Sequence, residues 1–179
     1  MTSGTQRPAF RAIFDGEYGY IRNSVVRLGV RAADVADVVH DVFVVVHEKL
    51  DDYDPARPLR PWLFGITFRV AVGVKRKLRY RRETVGDDDD VGSGEPSRAP
   101  SPEQAASAAE RRAILAKAMD VLDDDKRAVF VLHDLDGASM PVVAESLGVP
   151  LNTAYSRLRL AREELRAFLA RRGITPEGP

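Results

Sequence analysis

Between residues 33 and 50 the apolar positions Val35, Val38, Val39, Val42, Val46 and Leu50 recur in steps of three and four. That is the spacing of one face of an α-helix. Asp34, Asp37, Asp41 and Glu48 keep a similar period on another face. So many valines invite a strand, but the segment is too long and its carboxylates do not alternate. It is expected to be helical. Pro55 and Pro58 interrupt the chain, and residues 60–80 give another helix with Leu63, Ile66, Val70 and Val74 as its stripe and Trp62 alongside. Upstream, residues 8–28 make a helix whose inward side is expected to hold Phe10, Ile13, Phe14 and Ile21.

The pattern then lapses. From 83 to 107 the sequence ETVGDDDDVGSGEPSRAPSPEQAAS has almost no large apolar residue. Such a stretch buries too little surface to offset its ordering entropy, so a flexible acidic linker is expected there. It divides the chain into a first domain, 1–82, and a second, 108–179. In the second, a helix over 102–122 is followed by one capped at Asp123 or Asp124 and ended at Gly137. Ser139 is read as the cap of a short helix with Pro141 in its first turn, closed by Gly148. After a turn at Val149 and Pro150, the last helix covers 152–172, with Ala154, Leu158, Ala161, Leu165 and Phe168 facing inward. The fold class is all-α: two small helical domains, the second carrying a helix-turn-helix.

Composition narrows the choices. Apolar residues make up 44% of the 179 positions and charged residues 30%, a soluble globular profile. Cysteine is absent, which excludes disulfides, thiolate metal sites and cysteine nucleophiles. The longest apolar runs, at 42–46 and 128–132, are five residues, against the ~20 a membrane helix needs. The first residues show no apolar signal segment, so a cytoplasmic protein without an integral membrane segment is expected. Net charge is zero, with 27 basic and 27 acidic residues, but the charges are segregated. Residues 1–86 carry a net of +5, 87–110 a net of −6, and 151–172 hold six Arg against two Glu. Two basic clusters thus flank an acidic middle.

Three features bear on chemistry. On the last helix, Thr153, Tyr155, Ser156, Arg157 and Arg159 lie opposite the apolar stripe, near the helix start. Arg can bond a guanine edge bidentately, Ser and Thr reach phosphates or base edges, and the helix dipole favours phosphate there. With the turn and preceding helix in place, duplex DNA binding is the expected use. The run KRKLRYRR, 75–82, has six basic residues in eight, with Phe64, Phe68 and Arg69 upstream. Aromatics beside a cationic track suit single-stranded nucleic acid. They equally suit a core, and the residues alone leave both readings open. On the valine helix, Val44 and Val45 extend the apolar surface beside Asp37, His40 and Asp41. A partner helix would fit such a strip, although a broad buried face explains the same pattern. His40 and His47 are too far apart to chelate a metal from one helix, and His133 stands alone. No catalytic motif, metal site or cofactor site is expected.

These segments resemble the extracytoplasmic-function (ECF) group of bacterial sigma-70-type sigma factors. DVADVVHDVFVVVHEKL, 34–50, is similar to the helix by which that family grips the clamp of core RNA polymerase. PWLFGITFRVA, 61–71, with the basic run after it, resembles the element that opens and holds the −10 promoter strand. LDDDKRAVFVLHDLDG, 122–137, and VAESLGVPLNTAYSRLRLAR, 143–162, resemble the −35-binding domain. The resemblance implies polymerase contacts at Asp37, His40, Asp41 and Val44. It implies −10 contacts at Trp62, Phe68, Arg69, Lys75, Arg76, Lys77 and Arg79, and −35 contacts at Thr153, Tyr155, Ser156, Arg157 and Arg159. It also implies control by an anti-sigma factor. Arg69 stands where the family often has Asn, Gly73 where Asp or Asn is common, and His40-Asp41 replaces a usual Gln-Glu. Tyr155 and Leu160 take positions that are frequently basic. A stand-alone helix-turn-helix regulator would account for 108–172 but leave the clamp-like helix idle. A nuclease or deaminase would need a metal or acid–base cluster.

Overall fold

Valine costs a helix about 0.5 kcal/mol relative to alanine, whereas burying its side chain returns roughly 1.5–3 kcal/mol. Burial therefore decides the valine segment. In the computed structural model, which describes residues 8–85 and 113–174, Val35–Lys49 is helix α2, with Val38, Val39, Val42 and Val46 buried. It packs between α1 (Phe10–Arg27) and α3 (Leu59–Val85). Ile13, Ile21 and Val25 of α1 and Leu63, Phe64 and Ile66 of α3 complete that core. Two buried hydroxyls are satisfied within their own helices. Ser24 donates to the Tyr20 carbonyl at 2.9 Å and Thr67 to the Leu63 carbonyl at 2.8 Å.

The second unit comprises α4 (residues 113–119), α5 (Asp124–Phe130), α6 (Met140–Leu147) and α7 (Leu151–Ala170). Asp123 caps α5, accepting from the Lys126 backbone N–H at 2.8 Å. Beyond Phe130 the helix widens into a π-helical turn, Val131–Leu135, and the Asp136 N–H reaches back to the Val131 carbonyl. Gly137 then takes a positive φ of 76° to leave the helix. α7 lays Ala154, Leu158, Ala161, Leu165 and Phe168 against α5 and α6, the stripe expected from sequence. No strand occurs among the described residues.

Some expectations are corrected. Phe14 points outward, 38% exposed, while Phe43 is buried in the angle between α1 and α2. For Phe64, where core and strand-stacking were both open, the core reading holds: it is wholly buried and unavailable for stacking on bases. Ser139 occupies the cap position of α6, but its side chain makes no capping bond. Pro141 removes one of the N–H groups an N-cap side chain reaches. α3 continues to Val85, so the expected linker at 83–107 starts as helix. The rest of that linker, and residues 102–112 of the helix expected before Leu122, lie outside the described residues.

Candidate nucleic-acid interface

α7 presents its first two turns outward because its inward stripe is held by α5 and α6. Tyr155, 53% exposed, and the exposed Ser156 and Arg159 form the outer surface, with Thr153 half-buried beside them. Arg157 sits deeper. Its guanidinium donates to Asp125 of α5 at 2.5 Å, which fixes its direction and commits part of its donor fork. Arg159 pairs along the surface with Glu163 at 2.7 Å, an exposed contact of little strength. Arg162 makes two bonds to Asp134, at 2.7 and 2.9 Å, and they make the Arg162 guanidinium hold its proton more tightly than usual. Arg159, Arg162 and Arg166 rim a groove between the start of α6 and α7 that also takes in Ser139, Pro141 and Tyr155. Arg162 and Arg166 were not singled out from sequence. Their steps of three and four from Arg159 carried that signal.

The α3 residues divide into two groups. Trp62 is half-buried against Tyr53, ring centroids 4.9 Å apart, and Phe68 packs partly on the core. Arg76, Lys77 and Arg79 are exposed on the later turns. Arg69 and Lys75 are engaged by the second unit. Arg69 donates to the Ser146 carbonyl at 3.3 Å, and burial there makes its guanidinium a weaker base than usual. Lys75 donates to the Leu28 carbonyl at 3.2 Å and pairs with Asp124.

On α2, Asp37, His40, Asp41 and Val44 are all exposed and recur in steps of three and four. Val44, 44% exposed, borders a groove lined by Phe10, Phe14, Phe43 and His47. Phe14 lies 4.7 Å from Phe43 between ring centroids, and Tyr18 stacks on Phe43 almost in parallel at 6.1 Å. This aromatic ledge was missed from sequence, although Phe10, Phe14 and Tyr18 at four-residue steps carried it. The face is apolar at its centre and acidic at its rim. Among the described residues, no group of three or more His, Cys, Asp or Glu is placed to hold a metal ion. Among them no helix is long and apolar enough to cross a membrane.

Comparison with known proteins accounts for both halves. The family model for sigma-70 region 2 matches residues 13–82, and the model for sigma-70, region 4 matches 112–165. The RNA polymerase sigma factor CnrH of Cupriavidus metallidurans is 35% identical over 172 residues, 93% of this chain and 89% of that protein. The ECF RNA polymerase sigma factor SigL of Mycobacterium tuberculosis is 31% identical over 166 residues, covering 92% and 91%. The solved structure of CnrH in complex with the cytosolic domain of CnrY aligns with a TM-score of 0.63 at 28% identity, over 90% of this chain and 87% of that one. The sigma factor RpoE of Bartonella quintana, solved with the anti-sigma factor NepR, shares the fold with a TM-score of 0.72 at 22% identity, over 90% and 96%. With a region 2 and a region 4 in family order, and relatives matched almost end to end, the chain belongs to the ECF sigma factors of the sigma-70 family and serves transcription initiation.

Proposed function

We propose that the chain binds core RNA polymerase through the α2 face of Asp37, His40, Asp41 and Val44 and carries promoter contacts on α3 and α7. Trp62, Phe68, Arg69, Lys75, Arg76, Lys77 and Arg79 act on the melted −10 strand. Thr153, Tyr155, Ser156, Arg157 and Arg159 act on the −35 duplex. The first unit is drawn at 1–82 and the second at 108–179, with 83–107 joining them and the end of α3, to Val85, leading into that segment. The observation that carries this reading is the exposed acidic and apolar face of α2, which a lone helix-turn-helix regulator would not use. Extruding a base from the −10 duplex costs a few kcal/mol, offset by pocket contacts and by Arg and Lys on phosphate. The chain performs no covalent chemistry; polymerase does. It works in the cytoplasm, where promoter and polymerase are. An anti-sigma factor is a further partner, as NepR is for RpoE.

One small recognition helix per chain holds duplex DNA weakly, so tight promoter binding should require core polymerase. Gel shifts on a promoter duplex, with and without core enzyme, measure this. Tight, sequence-specific binding by the chain alone would favour the regulator reading.

A further inference from the structure

α7 turns inward on Ala154, Leu158, Ala161, Leu165 and Phe168. At 3.6 residues per turn, the line directly opposite that stripe runs between Asn152 and Ser156. Asn152, in the first turn, was not singled out from sequence. It is exposed, and its side-chain amide has no hydrogen-bond partner among the described residues. On one flank of it Leu151 and Tyr155 stand one turn apart, 41% and 53% exposed. Together they make a small apolar edge beside a free amide. The cations sit elsewhere. Arg157 is directed to Asp125 of α5. Arg159 lies two turns beyond Asn152, about 10 Å along the axis, and pairs with Glu163. The leading part of α7 is therefore neutral: an amide, a hydroxyl and an apolar edge.

A recognition helix meets base edges with its N-terminal residues, and the four bases offer such a surface different things. Adenine matches an asparagine amide bidentately, the amide oxygen accepting from N6 and its nitrogen donating to N7. Guanine presents two acceptors, which satisfy only the amide nitrogen and leave its oxygen unpaired. Thymine presents a methyl group for apolar contact, and cytosine has none. We propose that Asn152 reads an adenine of the −35 duplex and that Tyr155, backed by Leu151, packs on the methyl of a neighbouring thymine, so that this chain selects A·T pairs there. This deepens the reading of α7 as the −35 helix and rests on it. Arg159 then serves phosphate, holding the register of the helix rather than choosing bases.

The test uses the full chain in holoenzyme with core polymerase and a promoter library randomised across −35. Asn152→Ala and Tyr155→Ala replace exposed side chains by a better helix former, so helix content by circular dichroism should not fall. The unaltered chain should select A·T at two neighbouring pairs. Asn152→Ala should lose the choice at one of them, a discrimination of about 5- to 150-fold, and Tyr155→Ala at the other. On the selected promoter, 7-deazaadenine at the first pair removes N7 and should weaken binding by the unaltered chain but not by Asn152→Ala. Uracil in place of thymine at the second removes one methyl and should cost about fourfold. Tyr155→Ala should be blind to that change, whereas Tyr155→Phe, which keeps the ring, should still feel it. Selection of G·C at these pairs, or base-analogue penalties that persist undiminished in the alanine variants, overturns the proposal. Ser156→Ala and Arg159→Ala separate that failure from failure of the underlying reading. If either weakens binding that depends on the −35 duplex, α7 stays there and only its base preference is wrong. If none of the four alanine variants alters binding or −35 selection, the −35 assignment falls as well.

Discussion

Asp123 holds the start of the second unit's helix pair through Lys126, taking the backbone N–H at 2.8 Å and the ammonium at 3.0 Å. Burial works against its ionisation, but these bonds outweigh it and the carboxyl sits below its ordinary range. Lys126 in turn reaches Glu164 of α7 at 2.5 Å, and Glu164 and Asp123 together raise its affinity for its proton. The cap therefore ties α5 to the recognition helix. Since folding depresses the Asp123 pKa, its stabilisation is fully present above the unfolded value of 3.8 and is lost as pH falls through the folded one. Asp123→Ala should cost about 0.5–2 kcal/mol near neutral pH, as lost caps do. Urea titrations of the two proteins should converge as the pH is lowered below about 4. A constant gap across that range would show that the carboxylate is not the stabilising group. Arg157 shows a related lesson. Expected on the outer face with Thr153, Tyr155, Ser156 and Arg159, it is held by Asp125 against α5, leaving Tyr155 and Arg159 further out.

At the level of elements, α2 does two jobs with one sequence. Its valine stripe binds α1 and α3, and the residues left over, Asp37, His40, Asp41 and Val44, form an ordered outer row. Reversing one charge in that row leaves the buried stripe untouched. Asp41→Arg should keep the helix content by circular dichroism and weaken copurification with core polymerase. Undiminished core binding would remove Asp41 from the contact. The helices and their inward stripes were legible because a 3–4 period is a local property that the sequence displays directly. Asp123 and Gly148 were legible for the same reason, since caps act within a single turn. Phe14 and Phe64 were not. Both lie on apolar helix faces, and which is covered depends on where α2 and α6 land, a long-range fact no local period encodes. The π-helical turn after Phe130 likewise has no sequence mark, because it is set by how Asp136 and His133 are drawn into the surrounding bonds. The α3 interface was legible as a basic run but not as a surface shared with α6.

For the whole molecule, zero net charge conceals a first unit that is cationic where the second offers carboxylates. The same attraction that suits promoter DNA also suits the chain's own second unit, so cations on α3 have different consequences according to their place. Lys77 is exposed and assigned to phosphate alone. Lys75 is assigned to phosphate and is also paired with Asp124 of the second unit. Neutralising Lys77 should weaken open-complex formation and make its salt dependence shallower, by a slope of about 0.7 for one lost single-strand phosphate contact. Neutralising Lys75 should lose a similar contact, but one that must first break its pair with Asp124, so its net loss should be smaller at low salt. Raising the salt weakens both the pair with Asp124 and the phosphate contact, which should bring the two variants together. Both defects should shrink on a pre-melted template if the contacts serve opening, and −35 selection from a promoter library should be unchanged in both. Equal losses at every salt concentration would mean that the pair with Asp124 does not compete with the phosphate contact of Lys75. A shift in −35 selection would instead place the basic run of α3 on the duplex that is assigned to α7.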